Sequence, residues 1–120
     1  MKPVYFISDI HAGILGDQDD ESKLADFRQL AAVIKNEASE LILLGDIFDF
    51  WFQWKEVVPA RHFGWLYEFH DLVRSGIPVH IFPGNHDFRL AGFLEDKCGL
   101  QVQPHLLRRE MLGKKIVLTH

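Results

Sequence analysis

Residues 40–49 read Glu-Leu-Ile-Leu-Leu-Gly-Asp-Ile-Phe-Asp, a short apolar run that ends in a glycine and two aspartates. An apolar run of this length, bounded by a turn signal, predicts a strand buried on both faces. The pattern recurs, because Val4 to Ser8 precedes Asp9-Ile10-His11 and Val79 to Phe82 precedes Gly84-Asn85-His86-Asp87. Side chains of the types that bind metals therefore follow three successive predicted strands.

Helical segments separate and follow these strands. Apolar residues recur at helical spacing from Ser22 to about Asn36 and from Arg61 to Arg74, and Phe88 to Lys97 predicts a third helix. Further predicted strands are Leu100 to Val102, Leu106 to Met111 and Lys115 to Thr119, with a hairpin turn at Gly113-Lys114 before the last. The alternation predicts an α/β fold with a mixed, mainly parallel sheet and flanking helices.

Length and composition limit the alternatives. The 120 residues are 48% hydrophobic and 25% charged, which predicts a single globular domain over residues 1–120. A net charge of -4, without a long basic run, indicates no nucleic-acid partner. Cys98 is the single cysteine, and neither a signal peptide nor a membrane-length apolar stretch is visible. We therefore expect a cytoplasmic protein, or one peripheral on the cytoplasmic face of a membrane.

The carboxyl ends of parallel strands share one edge of a sheet, where ligands bind in folds of this class. We expect Asp9 and His11, two apart in an extended segment, to face one metal ion, and Asp46 to bridge to a second. Asn85 and His120 add an amide oxygen and an imidazole. Mixed ligation of this kind suits Mn, Fe or Zn better than Ca or Mg. Two such ions, about 3.5–4 Å apart, can generate hydroxide and clamp a phosphoryl group.

Two further residues are candidates for proton transfer. His86 should face substrate rather than metal, which suits a general acid or a cation that stabilises phosphoryl charge. Asp49 could accept a hydrogen bond from His86 and fix its ring. Any one block alone would favour a simple turn, whereas their joint occurrence at successive strand ends favours a metal site. We interpret the other histidines as structural or surface residues; they are His62, His70, His80 and His105.

Five of the 15 aromatic residues fall within residues 48–54. Core packing is the usual role of such residues, but five of them cannot all point inward from one loop. An apolar wall beside the metals, or an exposed patch for a lipid or a partner, is an equal alternative.

The ordered blocks resemble the calcineurin-like metallophosphoesterases, whose pattern is Asp-x-His, Gly-Asp-x-x-Asp and Gly-Asn-His-Asp/Glu, followed by later histidines. The resemblance implies two divalent ions, with Mn as the first choice. Asp9 and His11 would bind one ion, Asp46 would bridge, and Asn85 and His120 would bind the second. It also implies that His86 is the acid and Asp49 its partner.

The same resemblance carries an expectation about the extent of the fold. The family folds as a four-layer α/β/β/α sandwich and completes its site with a later Gly-x-His-x-His element. We therefore expect this chain to be the N-terminal half of such a sandwich, with one apolar sheet face uncovered.

Within the family, Ser8–His11, Leu44–Trp51 and Gly84–Phe88 resemble the UDP-2,3-diacylglucosamine hydrolases of lipid A biosynthesis. Those enzymes cleave the pyrophosphate of a UDP-linked diacyl sugar to UMP and diacylglucosamine 1-phosphate. The resemblance implies a nucleotide-sugar lipid substrate and peripheral contact with the inner membrane. Substrate contacts would come from Phe50, Trp51 and Arg89.

Two alternatives stay open at this point. Many members of that branch carry Arg and Glu where this chain has His86 and Asp49. The chain could therefore be a general phosphatase or a cyclic-nucleotide phosphodiesterase of the same family. It could also be an inactive metal-binding fragment that forms a homodimer through its sheet face.

Overall fold

The structure is a computed structural model that describes residues 2–13, 17–54, 57–84 and 92–120. The strands are β1 (Val4–Ile7), β2 (Glu40–Leu44), β3 (Val79–Phe82), β4 (Gln101–Val102), β5 (Leu106–Met111) and β6 (Lys114–Thr119). The helices are α1 (Asp17–Glu37), α2 (Phe63–Arg74), which a 3-10 turn at Ala60–His62 precedes, and the short α3 (Phe93–Asp96).

β1 to β4 form a parallel sheet in the order β1-β2-β3-β4, which confirms the predicted α/β fold. Phe6 pairs with Ile42, and Ile42 pairs with His80. The centre of β2 is fully buried on both faces, as its continuous apolar sequence predicted. All four strands run the same way, so their carboxyl ends meet at one edge of the sheet.

The two faces of this sheet are covered differently. On one face, α1 and α2 pack against the sheet in a single apolar core that includes Phe27, Phe69 and Leu43. On the other face lies the antiparallel β5–β6 hairpin, with Leu118 packed against Ile42 and Phe82. The chain is thus a helix layer, a parallel sheet and a hairpin layer.

Several predicted boundaries differ from the structure. α1 begins at Asp17 rather than at Ser22, because acidic residues such as Asp19 and Asp20 are favourable in the first turn of a helix. Asp20 also accepts hydrogen bonds from the backbone N–H of Gly13 and the indole of Trp65. The hairpin turn lies at residues 112–113, one position earlier than predicted. Of the helix predicted over Phe88 to Lys97, the described part is helical at Phe93–Asp96.

Candidate metal centre

Backbone hydrogen bonds hold the loops after β1 and β2 side by side. The N–H of Asp9 donates to the carbonyl of Gly45 (3.1 Å), and that of His11 donates to Asp46 (3.0 Å). Ala12 donates to Ile47, and Asp49 donates back to Ala12, both at 2.9 Å. The parallel pairing therefore continues beyond the strands, and it brings the first two sequence blocks together at the carboxyl edge.

Asp9, His11 and Asp46 all adopt left-handed backbone conformations, with φ values of 55°, 50° and 50°. The expectation of an extended Asp9–His11 segment was therefore wrong, although both side chains still reach the same point. Left-handed conformations at non-glycine residues cost of order 1–3 kcal/mol each and concentrate at functional sites. Their occurrence at three predicted metal ligands supports the assignment of this edge as the site.

Two imidazoles face the same pair of carboxylates. Nε2 of His11 lies 3.5 Å from Oδ1 of Asp9 and 3.8 Å from Oδ2 of Asp46. Nε2 of His120, which follows β6, lies 3.4 Å and 3.6 Å from the same two oxygens. Ligand atoms of Asp9, His11 and Asp46 lie within 4.8 Å of one another. Oδ2 of Asp46 thus lies within 4 Å of both imidazoles, and the bridging role expected for this carboxylate stays a prediction.

The two carboxylates differ in their exposure. The side chain of Asp46 is only 7% exposed, whereas that of Asp9 is 54% exposed, so the site opens to solvent on the Asp9 side. A hydrogen bond from the Ser8 hydroxyl, and a smaller contribution from His120, lower the pKa of Asp9 below its usual value. Asp9 is consequently an anion at neutral pH, as a metal ligand must be.

Two glycines make room for these side chains. A Cβ at Gly84 would lie 2.1 Å from Oδ1 of Asp46, and one at Gly45 would lie 2.5 Å from Cγ of His120. The space that a side chain would fill is thus occupied by the predicted ligands. Two carboxylates and the His11 imidazole, with His120 facing the same carboxylates, fit a borderline cation such as Mn, Fe or Zn.

The third sequence block falls in a part of the chain that the structure does not describe. Asn85, His86, Asp87 and Arg89 all lie outside the described residues. Their predicted roles as metal ligand, acid and substrate contact therefore stay predictions.

The aromatic segment divides between the core and the surface. Phe48 and Trp51 are completely buried, with ring centroids 5.0 Å apart, and both pack on His62. Phe50, Phe52 and Trp54 are exposed, Phe50 by 51%. The described part of the segment is a loop, with isolated bridges from Phe48 to Ala12 and from Trp54 to Val57. The core interpretation is therefore confirmed for Phe48 and Trp51, whereas a role of the exposed residues toward a lipid or a partner stays a prediction.

The remaining histidines have structural partners or lie at the surface. Nε2 of His62 donates to the carbonyl of Phe50 (3.2 Å), and Nδ1 of His70 donates to the carbonyl of Cys98 (2.9 Å). His80 pairs with Glu40, and His105 is exposed. Gly45 and Gly84 carry no signal in the sequence that predicts close packing, although both belong to the quoted blocks.

The profile of the calcineurin-like phosphoesterases matches residues 2–117 of this sequence. The chain belongs to the calcineurin-like phosphoesterase family. A curated relative named UDP-2,3-diacylglucosamine hydrolase, from Porphyromonas gingivalis, is 35% identical over 120 residues, which are 98% of this chain and 45% of the relative. Proteins of the same name match the whole chain in Neisseria meningitidis (30% identity, 48% of the relative) and Histophilus somni (29%, 49%).

This calcineurin-like phosphoesterase chain spans about half the length of those relatives. Within the described ranges, no helix combines the length and the apolar character needed to cross a membrane.

Proposed function

We propose that this calcineurin-like phosphoesterase is a metal-dependent hydrolase that cleaves the pyrophosphate of UDP-2,3-diacylglucosamine to diacylglucosamine 1-phosphate and UMP. One observation carries the proposal. Asp9, His11, Asp46 and His120 converge at the carboxyl edge of the sheet, in a chain whose relatives bear the name of that enzyme. This set of ligands suits phosphoryl chemistry, because it can hold cations beside an opening to solvent.

The chain would hold two divalent ions, with Mn as the first choice and Fe or Zn as alternatives. When bound, the ions supply a hydroxide nucleophile at neutral pH and neutralise charge on the phosphoryl group. Asp9 and His11 would bind one ion, and Asn85 and His120 the other. Asp46 would bridge, since both imidazoles already face its Oδ2.

Proton transfer is assigned to His86, which would donate to the leaving oxygen or stabilise charge on the phosphoryl group. Asp49 would accept a hydrogen bond from its ring and act as a positioning residue. Asp49 is half-buried, and its backbone N–H is tied to Ala12 in the paired loops. The acid matters less for a pyrophosphate than for an alkyl ester, because phosphate is a good leaving group.

An acylated substrate would find its apolar surface in the aromatic loop. Phe50 is exposed directly after Asp49, and Trp51 supports the loop from within the core. Arg89 would pair with a phosphate of the substrate. An enzyme with such a substrate would act at the cytoplasmic face of the inner membrane, where exposed apolar side chains can contact lipid.

The activity is tested by UMP release from UDP-2,3-diacylglucosamine with Mn²⁺ in the assay. We expect Asp46→Asn to lower turnover by at least about 100-fold, because it removes the buried charge that both imidazoles face. Retention of both metal binding and hydrolysis by Asp46→Asn would contradict the proposal. Faster turnover of a generic aryl phosphodiester would favour the general phosphatase or phosphodiesterase. A metal-loaded dimer without turnover would favour the inactive fragment.

A further inference from the structure

The β5–β6 hairpin places a charged residue on the face that packs on the parallel sheet. Side chains along β5 alternate, with Leu107, Arg109 and Met111 partly buried and the residues between them exposed. Leu107 and Met111 belong to the apolar cluster between hairpin and sheet. Arg109 lies between them with its side chain 33% exposed, where an apolar residue would continue the row. Because this charged side chain lies on the face that packs on the sheet, we expect it to have a polar partner there.

That partner is Glu40, the first residue of β2, which is only 8% exposed. The guanidinium of Arg109 donates to Oε1 of Glu40. Nε2 of His80, on β3, donates to Oε2 (2.8 Å), and the amide of Gln103 donates to Nδ1 of His80 (3.1 Å). These four residues are called the Glu40 cluster. A buried carboxylate requires such partners, and Arg109 is the one that the hairpin supplies.

Beside the Glu40 cluster, the strands of the hairpin pack on the sheet through apolar side chains. Leu118 packs on Ile42 and Phe82, with Leu107 and Ile116 beside it. Apolar contacts of this kind are non-directional and do not fix the hairpin along the strands. A slide by two residues, about 7 Å, would keep the same alternation toward the sheet, so the apolar pattern alone does not prevent it. Such a slide would separate Arg109 from Glu40 and leave a buried charge with one partner fewer.

The position of the hairpin decides where His120 lies. His120 directly follows β6, its Nε2 is 3.6 Å from Oδ2 of Asp46, and its ring lies against Gly45. A displacement of about 7 Å would carry the imidazole out of reach of Asp46. The register of the hairpin on the sheet therefore determines the position of the His120 imidazole.

We propose that the Glu40 cluster is a positioning device, which sets the register of the hairpin on the sheet and thereby places His120 in the metal centre. Arg109 and Glu40 are positioning residues that act through His120. The consequence for metal binding rests on the proposed function, whereas the placement of His120 does not.

A double-mutant cycle tests the consequence for the metal, with Mn²⁺ affinity measured by calorimetry. We expect Arg109→Met to weaken Mn²⁺ binding about tenfold, the lower end of the range for residues that orient metal ligands. In a His120→Ala background, Arg109→Met should have no further effect, because the ligand that it positions is gone. An equal loss in both backgrounds would show general destabilisation and overturn the inference.

A second measurement needs no metal. In the unliganded protein, nuclear Overhauser contacts between the His120 ring and the α protons of Gly45 report the register directly. Arg109→Met should lose these contacts and Arg109→Lys should restore part of them. Met111→Ala, the matched control, removes an apolar group from the same strand and should keep them. Persistence of the contacts in Arg109→Met would overturn the positioning role. If Arg109→Met loses the contacts and the wild-type protein binds no Mn²⁺, the positioning role is supported and the proposed function is contradicted.

Discussion

Gly84 shows, at the scale of single residues, how little space the metal centre leaves. A Cβ at this position would lie 2.1 Å from Oδ1 and 2.3 Å from the backbone nitrogen of Asp46. We expect Gly84→Ala to displace Asp46, abolish tight Mn²⁺ binding and lower the free energy of unfolding by about 1–3 kcal/mol. Calorimetric Mn²⁺ titration and urea denaturation measure the two effects.

Gly76→Ala is the matched control for that substitution. Gly76 has a φ of 93°, and a Cβ there would meet no atom within 4 Å. The variant should lose about 1 kcal/mol of stability through backbone strain alone and bind Mn²⁺ like the wild type. Unchanged Mn²⁺ affinity in Gly84→Ala would contradict the close packing that we describe.

His62 makes stability depend on pH. Its imidazole is buried against Phe48, Nδ1 has no hydrogen-bond partner among the described residues, and burial lowers its pKa below the ordinary value. The carbonyl of Phe50 and the charge of Asp20 oppose that shift, and Arg61 adds to it. Below about pH 6.5 the His62 imidazole is protonated in the unfolded chain, whereas in the folded chain it stays neutral until the pH reaches its lower pKa. The free energy of unfolding should therefore fall as the pH falls from about 6.5 to the lower folded-state pKa.

The comparison with His62→Phe isolates this contribution. Phenylalanine keeps the ring packing but cannot titrate. The free energy of unfolding of His62→Phe should therefore vary less than that of the wild type between pH 7.5 and pH 5.5. Urea denaturation at the two pH values measures the difference. Parallel pH profiles for the two proteins would exclude His62 as the source.

The sequence predicted which residues meet at the candidate metal centre better than it predicted the backbone conformations of those residues. Asp9, His11, Asp46 and His120 could be named from the sequence because each follows an apolar run that ends at the same edge. Their left-handed backbone conformations could not be predicted, because aspartate and histidine favour other conformations. Hydrogen bonds to the neighbouring loop impose the left-handed conformation.

At the scale of elements, the hairpin turn offers a route to higher stability. Leu112 has a φ of 52° and precedes Gly113 at 77°, so both residues of the turn are left-handed. Asparagine before glycine is the preferred pair in such a turn. We expect Leu112→Asn to raise the free energy of unfolding by about 0.5–1 kcal/mol, measured by urea denaturation.

Leu112→Val provides the opposite test, because a β-branched residue tolerates a positive φ poorly. It should destabilise the protein, and both variants should bind Mn²⁺ normally, since the turn lies at the other end of the hairpin from His120. A stability loss in Leu112→Asn would show that the side chain of Leu112 matters more than its backbone.

The sequence predicted buried strands more accurately than polar element ends. The bounds of β2 and β3 are those read from their apolar runs, because burial on both faces leaves a continuous signal. The start of α1 was missed because its first turn is polar throughout and carries no apolar periodicity. The Glu40 cluster was also missed, since its members lie far apart in sequence and only the packing of the hairpin joins them.

At the scale of the whole molecule, the metal should act as a stabilising ligand. An ion that binds the native state alone raises the free energy of unfolding by about 2.7 kcal/mol at a hundred times its Kd. We expect Mn²⁺ to raise the melting temperature of the wild type and to leave that of Asp46→Asn unchanged, as measured by calorimetry. An equal rise in both proteins would place the stabilising ion elsewhere.

The metal centre joins residues that lie far apart in sequence, because Asp9 and His120 are separated by 111 positions. During synthesis, the imidazole of His120 emerges long after the carboxylates that it faces. Closing so large a loop is entropically unfavourable until the intervening sheet and hairpin have formed. We therefore expect His120 to reach the carboxylates only after the sheet and the hairpin have formed. Metal uptake that depends on His120 would report that the hairpin has docked on the sheet.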